Sequence, residues 1–211
     1  MKKKSPKKEV KRPYELGKRL DQMDQSRATI LRAAQGQLEA EGYRRMSMAS
    51  LAAESGVTRQ TVHNLYGTKS AIVEALFDLL ALDGGMESMY RVMAQSQAER
   101  MLEGLVKTFC GFWASNRLLI RRIHGIGAID PEFGTVIAAR NQRRLVAASR
   151  IVRATGDHHD VQQRAAILAA LTSFEFFDAL AENSVDQTTI ETNILELARK
   201  MLYSGSDNHP K

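Results

Sequence analysis

Arg59, Gln60, His63 and Asn64 recur at spacings that place them on one side of a short helix, with Val62 and Leu65 on the other. A guanidinium, two carboxamides and an imidazole on one face are donors and acceptors long enough to reach base edges or phosphate oxygens. Their chemistry is hydrogen bonding and ion pairing rather than bond making. No nucleophile with a base, no catalytic pair of carboxylates and no strand-preceded glycine loop is visible in the chain; Gly84-Gly85 and Gly125-x-Gly127 both follow helical stretches, so an enzyme is not the reading. The single cysteine, Cys110, sits between Phe109 and Gly111 and reads as a small core residue. Adjacent His158-His159 lack the spacing of a helical metal pair, so neither a metal nor a cofactor is expected.

The elements that must position this face are written around it. Thr58 supplies an N-cap for the helix, Val57 an apolar plug for the turn before it, and Gly56 the positive φ that ends the helix before that. That earlier helix opens at Ser47 as its cap, with Met48, Leu51 and Ala52 inward. Upstream, Ser26 to Ala34 begins a helix with Ile30, Leu31, Ala34 and Leu38 on one stripe, ended by Gly42-Tyr43. Downstream, Tyr66-Gly67 breaks the chain and Thr68 caps the next helix, leaving Lys69 in its first turn. A cation there opposes the helix dipole, which calls for an outside anion such as a DNA phosphate. Helix, turn and helix alone fit an ordinary helical hairpin as well as a recognition helix for a major groove.

Residues 26 to 80 resemble the tetracycline-repressor-like (TetR) transcriptional regulators. Ser47, Leu51-Ala52, Ser55-Gly56-Val57-Thr58, Thr61-Val62, Tyr66 and Lys69 stand where that family's signature expects them. Gln60 departs from it where Gly is frequent, and His63 where a phosphate-touching Tyr is frequent. The resemblance implies an all-α protein: an N-terminal three-helix helix-turn-helix domain followed by a C-terminal helical bundle for regulation and dimerisation. It further implies a DNA-contacting set of Ser47, Thr58, Arg59, Gln60, Thr61, His63, Asn64, Tyr66 and Lys69, with the helix at about 58 to 65 in the major groove of double-stranded DNA.

Charge points the same way without any family. Residues 1 to 69 hold 15 Lys+Arg and 7 Asp+Glu, a net +8, while the remainder carries −2, together the chain's +6. A basic third joined to a slightly acidic remainder is the footprint of a nucleic-acid module attached to another task. The densest part is a tail containing Lys7, Lys8, Lys11 and Arg12, and residues 1 to 24 are expected to be a disordered arm that lies along phosphates. A non-specific architectural or RNA-binding protein using that arm is the alternative. The tail is not followed by an apolar stretch, and no apolar run reaches membrane-spanning length, so the expected location is cytoplasmic, away from membranes.

The helix-turn-helix domain is expected over residues 25 to 83 and a second helical domain over 86 to 205. Periodicity predicts helices around 86 to 94, along the stripe Leu102, Leu105, Val106, Phe109 and Trp113, and from Asn116 to about Ile126, loosened at its end by Gly125 and Gly127. Asp130-Pro131 is a cap and first position for the next. Residues 160 to 183 read as one helix and 187 to 202 as another, each apolar on more than one side. The resemblance makes this last pair a homodimer interface and places a small-molecule effector pocket in the middle of the chain, with Phe109, Trp113, His124, Phe174 and Phe177 as candidate lining and a repressor as the expected regulator. Arg140, Arg143, Arg144, Arg150 and Arg153 fall at mixed helical angles and read as ordinary solvent-exposed cations.

Overall fold

The computed structural model describes residues 12–183 and 185–203. Among these residues are eleven α-helices and no strand: α1 (Arg12–Ala40), α2 (Met48–Ser55), α3 (Arg59–Tyr66), α4 (Lys69–Asp83), α5 (Met89–Met93), α6 (Ala98–Ser115), α7 (Arg117–Ile129), α8 (Pro131–Ala154), α9 (Val161–Leu171), α10 (Phe174–Glu182) and α11 (Gln187–Tyr203). The protein is all-α, and it divides into two compact units between Ile72 and Val73, inside α4. The sequence suggested a division near 83. The later turns of α4 instead belong to the second unit, because Phe77 stacks on Phe112 of α6 with ring centroids 6.0 Å apart.

In the first unit α1 begins at Arg12, within the stretch expected to be an unstructured arm. Glu15, Leu16, Lys18, Arg19, Leu20, Gln22 and Met23 are strong helix formers, and Pro13 is tolerated in a first turn, so the helix extends well upstream of Ser26. Lys7, Lys8 and Lys11 lie outside the described residues. Ile30, Ala34 and Leu38 of α1, Met46, Leu51 of α2, Val62 of α3 and Ile72 are buried together as the core of this unit. Each large apolar side chain so buried contributes about 1.5–3 kcal/mol, enough in sum to fix the short helices α2 and α3, which would not persist alone.

The second unit is built on α6. Its Met101, Leu102, Leu105, Val106, Phe109, Cys110, Phe112 and Trp113 are all buried, and α5, α8, α10 and α11 pack around it. Burial pushes the Cys110 thiol up to about 12, so it stays a neutral core group. Helix α7 runs through both Gly125 and Gly127 instead of loosening there. Gly127 lets α8 come close: a Cβ on it would stand 2.9 Å from Ile137 Cγ1, and one on Gly134 would stand 2.8 Å from the Gly127 carbonyl oxygen. Asp130 caps α8 by accepting from the Phe133 amide at 3.1 Å.

Residues 160 to 183 are two helices rather than one. The Thr172 hydroxyl donates back to the Leu168 carbonyl at 2.9 Å, Ser173 accepts from the Phe176 amide at 3.2 Å to start α10, and the Trp113 indole donates to the Thr172 carbonyl at 3.1 Å. The break is thus satisfied from a helix 59 residues away. No helix among the described residues is long and apolar enough to cross a membrane.

Candidate nucleic-acid interface and interior cavity

The exposed face of α3 is set by local capping at both ends. Ser47 accepts from the Ser50 amide at 3.0 Å while Ser50 Oγ accepts from the Ser47 amide at 2.9 Å, a reciprocal cap that opens α2. Gly56 ends α2 at φ 69°, a left-handed conformation that only glycine adopts without strain. Thr58 then accepts from the Thr61 amide at 3.0 Å, and the two hydroxyls lie 2.8 Å apart. Gln37 was not singled out from sequence, yet it ties α1 to α2 by accepting from Ser50 Oγ at 2.9 Å and donating to Glu54 Oε2 at 2.7 Å. No local pattern marks it, since its partners lie 13 and 17 residues away.

Val62 is fully buried beneath α3, and Arg59, Gln60, His63 and Asn64 are exposed on its outer side. Gln60 Nε2 donates to Asn64 Oδ1 at 2.7 Å, which leaves a carboxamide oxygen and an NH2 group side by side at the surface. Such a donor and acceptor pair matches the major-groove edge of adenine. Tyr66 is half-buried, its hydroxyl 3.4 Å from the Arg27 carbonyl and its ring under the Arg27 guanidinium; burial raises its pKa and Arg27 partly offsets this. Tyr66 therefore links α3 to α1.

Lys69 is placed differently from the sequence expectation. Its Nζ donates to the carbonyls of Tyr43 at 2.7 Å and Met46 at 3.1 Å and lies 3.7 Å from the centre of the Tyr43 ring. The counter-charge for this cation is supplied inside the fold by carbonyl dipoles and a π face, so no outside phosphate is required. Thr68 caps α4 by accepting from the Ala71 amide at 3.1 Å. Arg44, in the loop that Lys69 fastens, is exposed and was missed for want of any periodic pattern in a loop.

The second unit holds a cavity of about 290 Å³. Phe77, Phe109, Phe112, Trp113, Met86 and Met89 form most of its apolar wall. Of the aromatic candidates, Phe109, Trp113 and His124 reach it; Phe174 and Phe177 are buried behind it, Phe174 edge-on to Trp113 with centroids 5.6 Å apart. His124 Nδ1 lies 2.7 Å from Glu175 Oε1, and this hydrogen bond, working against burial, holds the Glu175 carboxyl at about 2. His124 is thus committed to a carboxylate. Arg121 pairs with Asp178 and Glu182 on the α7–α10 surface.

Arg143, Arg150 and Arg153 of α8 are exposed, as their angles suggest, but Arg140 and Arg144 are not ordinary solvated cations. Arg140 donates to Asp78 Oδ1 at 2.7 Å and stacks over Phe77 at 4.5 Å. Arg144 is only 8% exposed, donates Nε to the Ala169 carbonyl at 3.0 Å, and has its pKa lowered by burial. Both line the cavity, with Arg143 and Asn141. Their apolar surroundings come from α4 and α6, which α8's own periodicity cannot reveal.

Comparison with known proteins places these observations. Residues 30–76 match the family model described as bacterial regulatory proteins, tetR family. No curated protein matches the chain. Among solved structures, the fold is similar to that of a TetR transcription regulator from Haloarcula marismortui, at 18% identity and a TM-score of 0.67, covering 86% of this chain and 97% of that one. It is similar too to NalD, the secondary repressor of the MexAB-OprM multidrug efflux pump in Pseudomonas aeruginosa, at 14% identity and a TM-score of 0.69, covering 86% and 97%. A transcriptional regulator from Saccharomonospora viridis, solved in complex with choline, aligns at 15% identity and a TM-score of 0.66, covering 82% and 95%. The family model is thus matched across the helix-turn-helix segment, residues 30–76, and the helical architecture along the rest is similar to that of solved TetR-type regulators.

Proposed function

We propose that the protein is a ligand-responsive repressor that binds a palindromic operator as a homodimer, with Thr58 and α3 in the major groove of each half-site. The observation that carries this reading is the α3 face: Arg59, Gln60, His63 and Asn64 exposed together over a buried Val62, on a helix capped by Thr58. Dimerisation through the last helices is supported by exposed apolar residues there, with Ile167 of α9 40% exposed beside Ala166 and Ala170, and Leu197 of α11 45% exposed. The basic residues Lys7, Lys8, Lys11 and Arg12 add affinity without choosing sequence.

Release is an equilibrium between two arrangements of the paired reading helices, biased by an effector in the cavity. α4 is suited to the task because one helix carries Lys69 at its start and Phe77, Asp78 and Ala81 on the cavity wall. NalD is a repressor and the Saccharomonospora viridis regulator holds a small molecule, which is the precedent for both roles. Selection of genomic fragments by the purified protein, followed by sequencing, tests the reading. A recovered palindrome with half-sites one or two helical turns apart is the expected result. Binding to random duplex with equal affinity overturns it in favour of an architectural or RNA-binding role. Deleting residues 2 to 12 should lower operator affinity and flatten its dependence on salt.

A further inference from the structure

We propose that the cavity of the second unit takes an amphipathic monocarboxylic acid, its carboxylate held by Arg144 and its single ring or short acyl chain packed against Phe77, Phe109, Phe112 and Trp113. The proposal rests on the reading of this cavity as an effector site and names the chemical class of the effector.

Arg144 carries the argument. An arginine only 8% exposed requires compensation, because withdrawing a cation from water is expensive unless it is paired. One of its five donors, Nε, goes to the Ala169 carbonyl near the end of α9, where a cation is favourable against the helix dipole. That cap accounts for one donor and explains why the stem lies where it does. No carboxylate among the described residues is ion-paired with Arg144. Of the acids nearby, Asp78 accepts from Arg140 at 2.7 Å, and Glu175, bonded to His124 at 2.7 Å, attracts the Arg144 charge only through space, with no hydrogen bond or ion pair to it. The lining therefore combines Arg140, Arg143 and Arg144 with a single acid, Asp78, an excess of two positive charges around an aromatic interior.

Charge also decides between two opposite ligands. Aromatic walls alone suit a quaternary ammonium, which is attracted to ring faces. Here Arg140 already occupies the face of Phe77 at 4.5 Å, and Arg144 lies 5.8 Å from the centre of Phe109. A cationic ligand would meet these guanidinium groups, whereas a carboxylate would complete the pairing of Arg144 in the planar fork geometry that guanidinium favours. Size sets the rest. The cavity of about 290 Å³ is roughly twice the ~150 Å³ that accommodates benzene, which leaves room for one ring and a short acid side chain.

Trp113 is the chain's one tryptophan and stands on the cavity wall, so its fluorescence reports occupancy directly. The full-length protein is titrated with benzoate, 3-phenylpropanoate and octanoate, each against its primary amide, and with choline. The expected result is saturable binding of at least one acid, about ten- to a hundredfold tighter than its amide, the range for a lost hydrogen bond to a charged group. Arg144→Gln, checked for native helicity by circular dichroism, should abolish that preference, bringing acid and amide to similar affinity; Arg144→Lys should keep part of it. Acids and amides binding alike to the wild-type protein, no acid binding at all, or choline binding in place of acids would each overturn the assignment without need of a variant. Repeating the titration with operator DNA separates the two readings. Acid binding through Arg144 that leaves operator affinity unchanged supports the ligand class and refutes the effector role, whereas operator recognition without acid binding refutes the ligand class alone.

Discussion

Replacing Lys69 by methionine keeps the apolar stem and removes the ammonium that fastens α4 to the loop before α2. Two hydrogen bonds from a cation, at 2.7 and 3.1 Å, and one cation–π contact at 3.7 Å are lost together. Hydrogen bonds to charged groups contribute about 1.5–3 kcal/mol each and an exposed cation–π contact about 0.5–1 kcal/mol. Because Lys69 is half-exposed, water replaces part of what is lost, and a net cost of about 2 kcal/mol is expected. In a chain of this length that corresponds to a fall of roughly 4–8 °C in melting temperature, accompanied by faster amide exchange in residues 43 to 47. Operator affinity should fall by a similar factor for every sequence, because the loop and α3 lose their common support. The slope of log affinity against log salt should not change. If Lys69 instead neutralised a phosphate, the slope would shrink by about 0.9 per protomer with stability altered by less than ~0.5 kcal/mol. That pair of results, a shallower slope with an unchanged melt, would refute the internal tie.

Three further outcomes follow from the same geometry. Gly134→Ala should destabilise the second unit by about 1–3 kcal/mol in urea unfolding, since its Cβ would meet a backbone oxygen at 2.8 Å; Gly127→Ala should cost less, because the Ile137 side chain at 2.9 Å can turn away. The Glu175 carboxyl, held at about 2 against an ordinary 4.5, contributes stability that is present above pH 4.5 and lost as pH falls toward 2. Urea midpoints measured down that window should therefore drop more steeply for the wild type than for Glu175→Gln, and parallel curves would show that the His124 bond does not stabilise the fold. At the reading face, Gln60→Ala and Asn64→Ala should each relax preference at the same operator position by about 1–3 kcal/mol, because the 2.7 Å bond between them makes one surface of the two side chains. Selection experiments that assign them to separate, independent positions would contradict this.

What could be read from the sequence was local. Ser47, Thr58, Thr68 and the Asp130-Pro131 start are caps whose partners lie three residues away, and the structure places each where a cap is needed. What could not be read depends on partners far along the chain. Gly127 looks like a loosened helix end until Gly134 and Ile137 are brought against it. Ile167, Leu171, Phe174 and Phe177 keep a helical period straight through Thr172-Ser173, so nothing in the period reveals a break whose carbonyl is satisfied by Trp113. The α8 arginines show the same limit: their angles around α8 are mixed, yet the aromatic walls of α4 and α6 bury one and stack another.

The basic surplus of the N-terminal third needs correcting in the same spirit, since a charge count treats every cation as available to DNA. Among side chains described from residue 21 to residue 69, the cations are Arg27, Arg32, Arg44, Arg45, Arg59 and Lys69. Lys69 is tied to carbonyls, Arg27 lies over Tyr66, and Arg45 stands 3.8 Å from Glu41. Arg32, Arg44 and Arg59 remain exposed with no partner among the described residues. Three such cations neutralise at most about three phosphates, a salt slope near −2.7 per protomer. A steeper slope in the full-length protein must draw on cations before residue 21, either Lys18 and Arg19 of α1 or the lysine-rich run that ends at Arg12, and deletion of residues 2 to 12 against substitution of Lys18 and Arg19 separates the two.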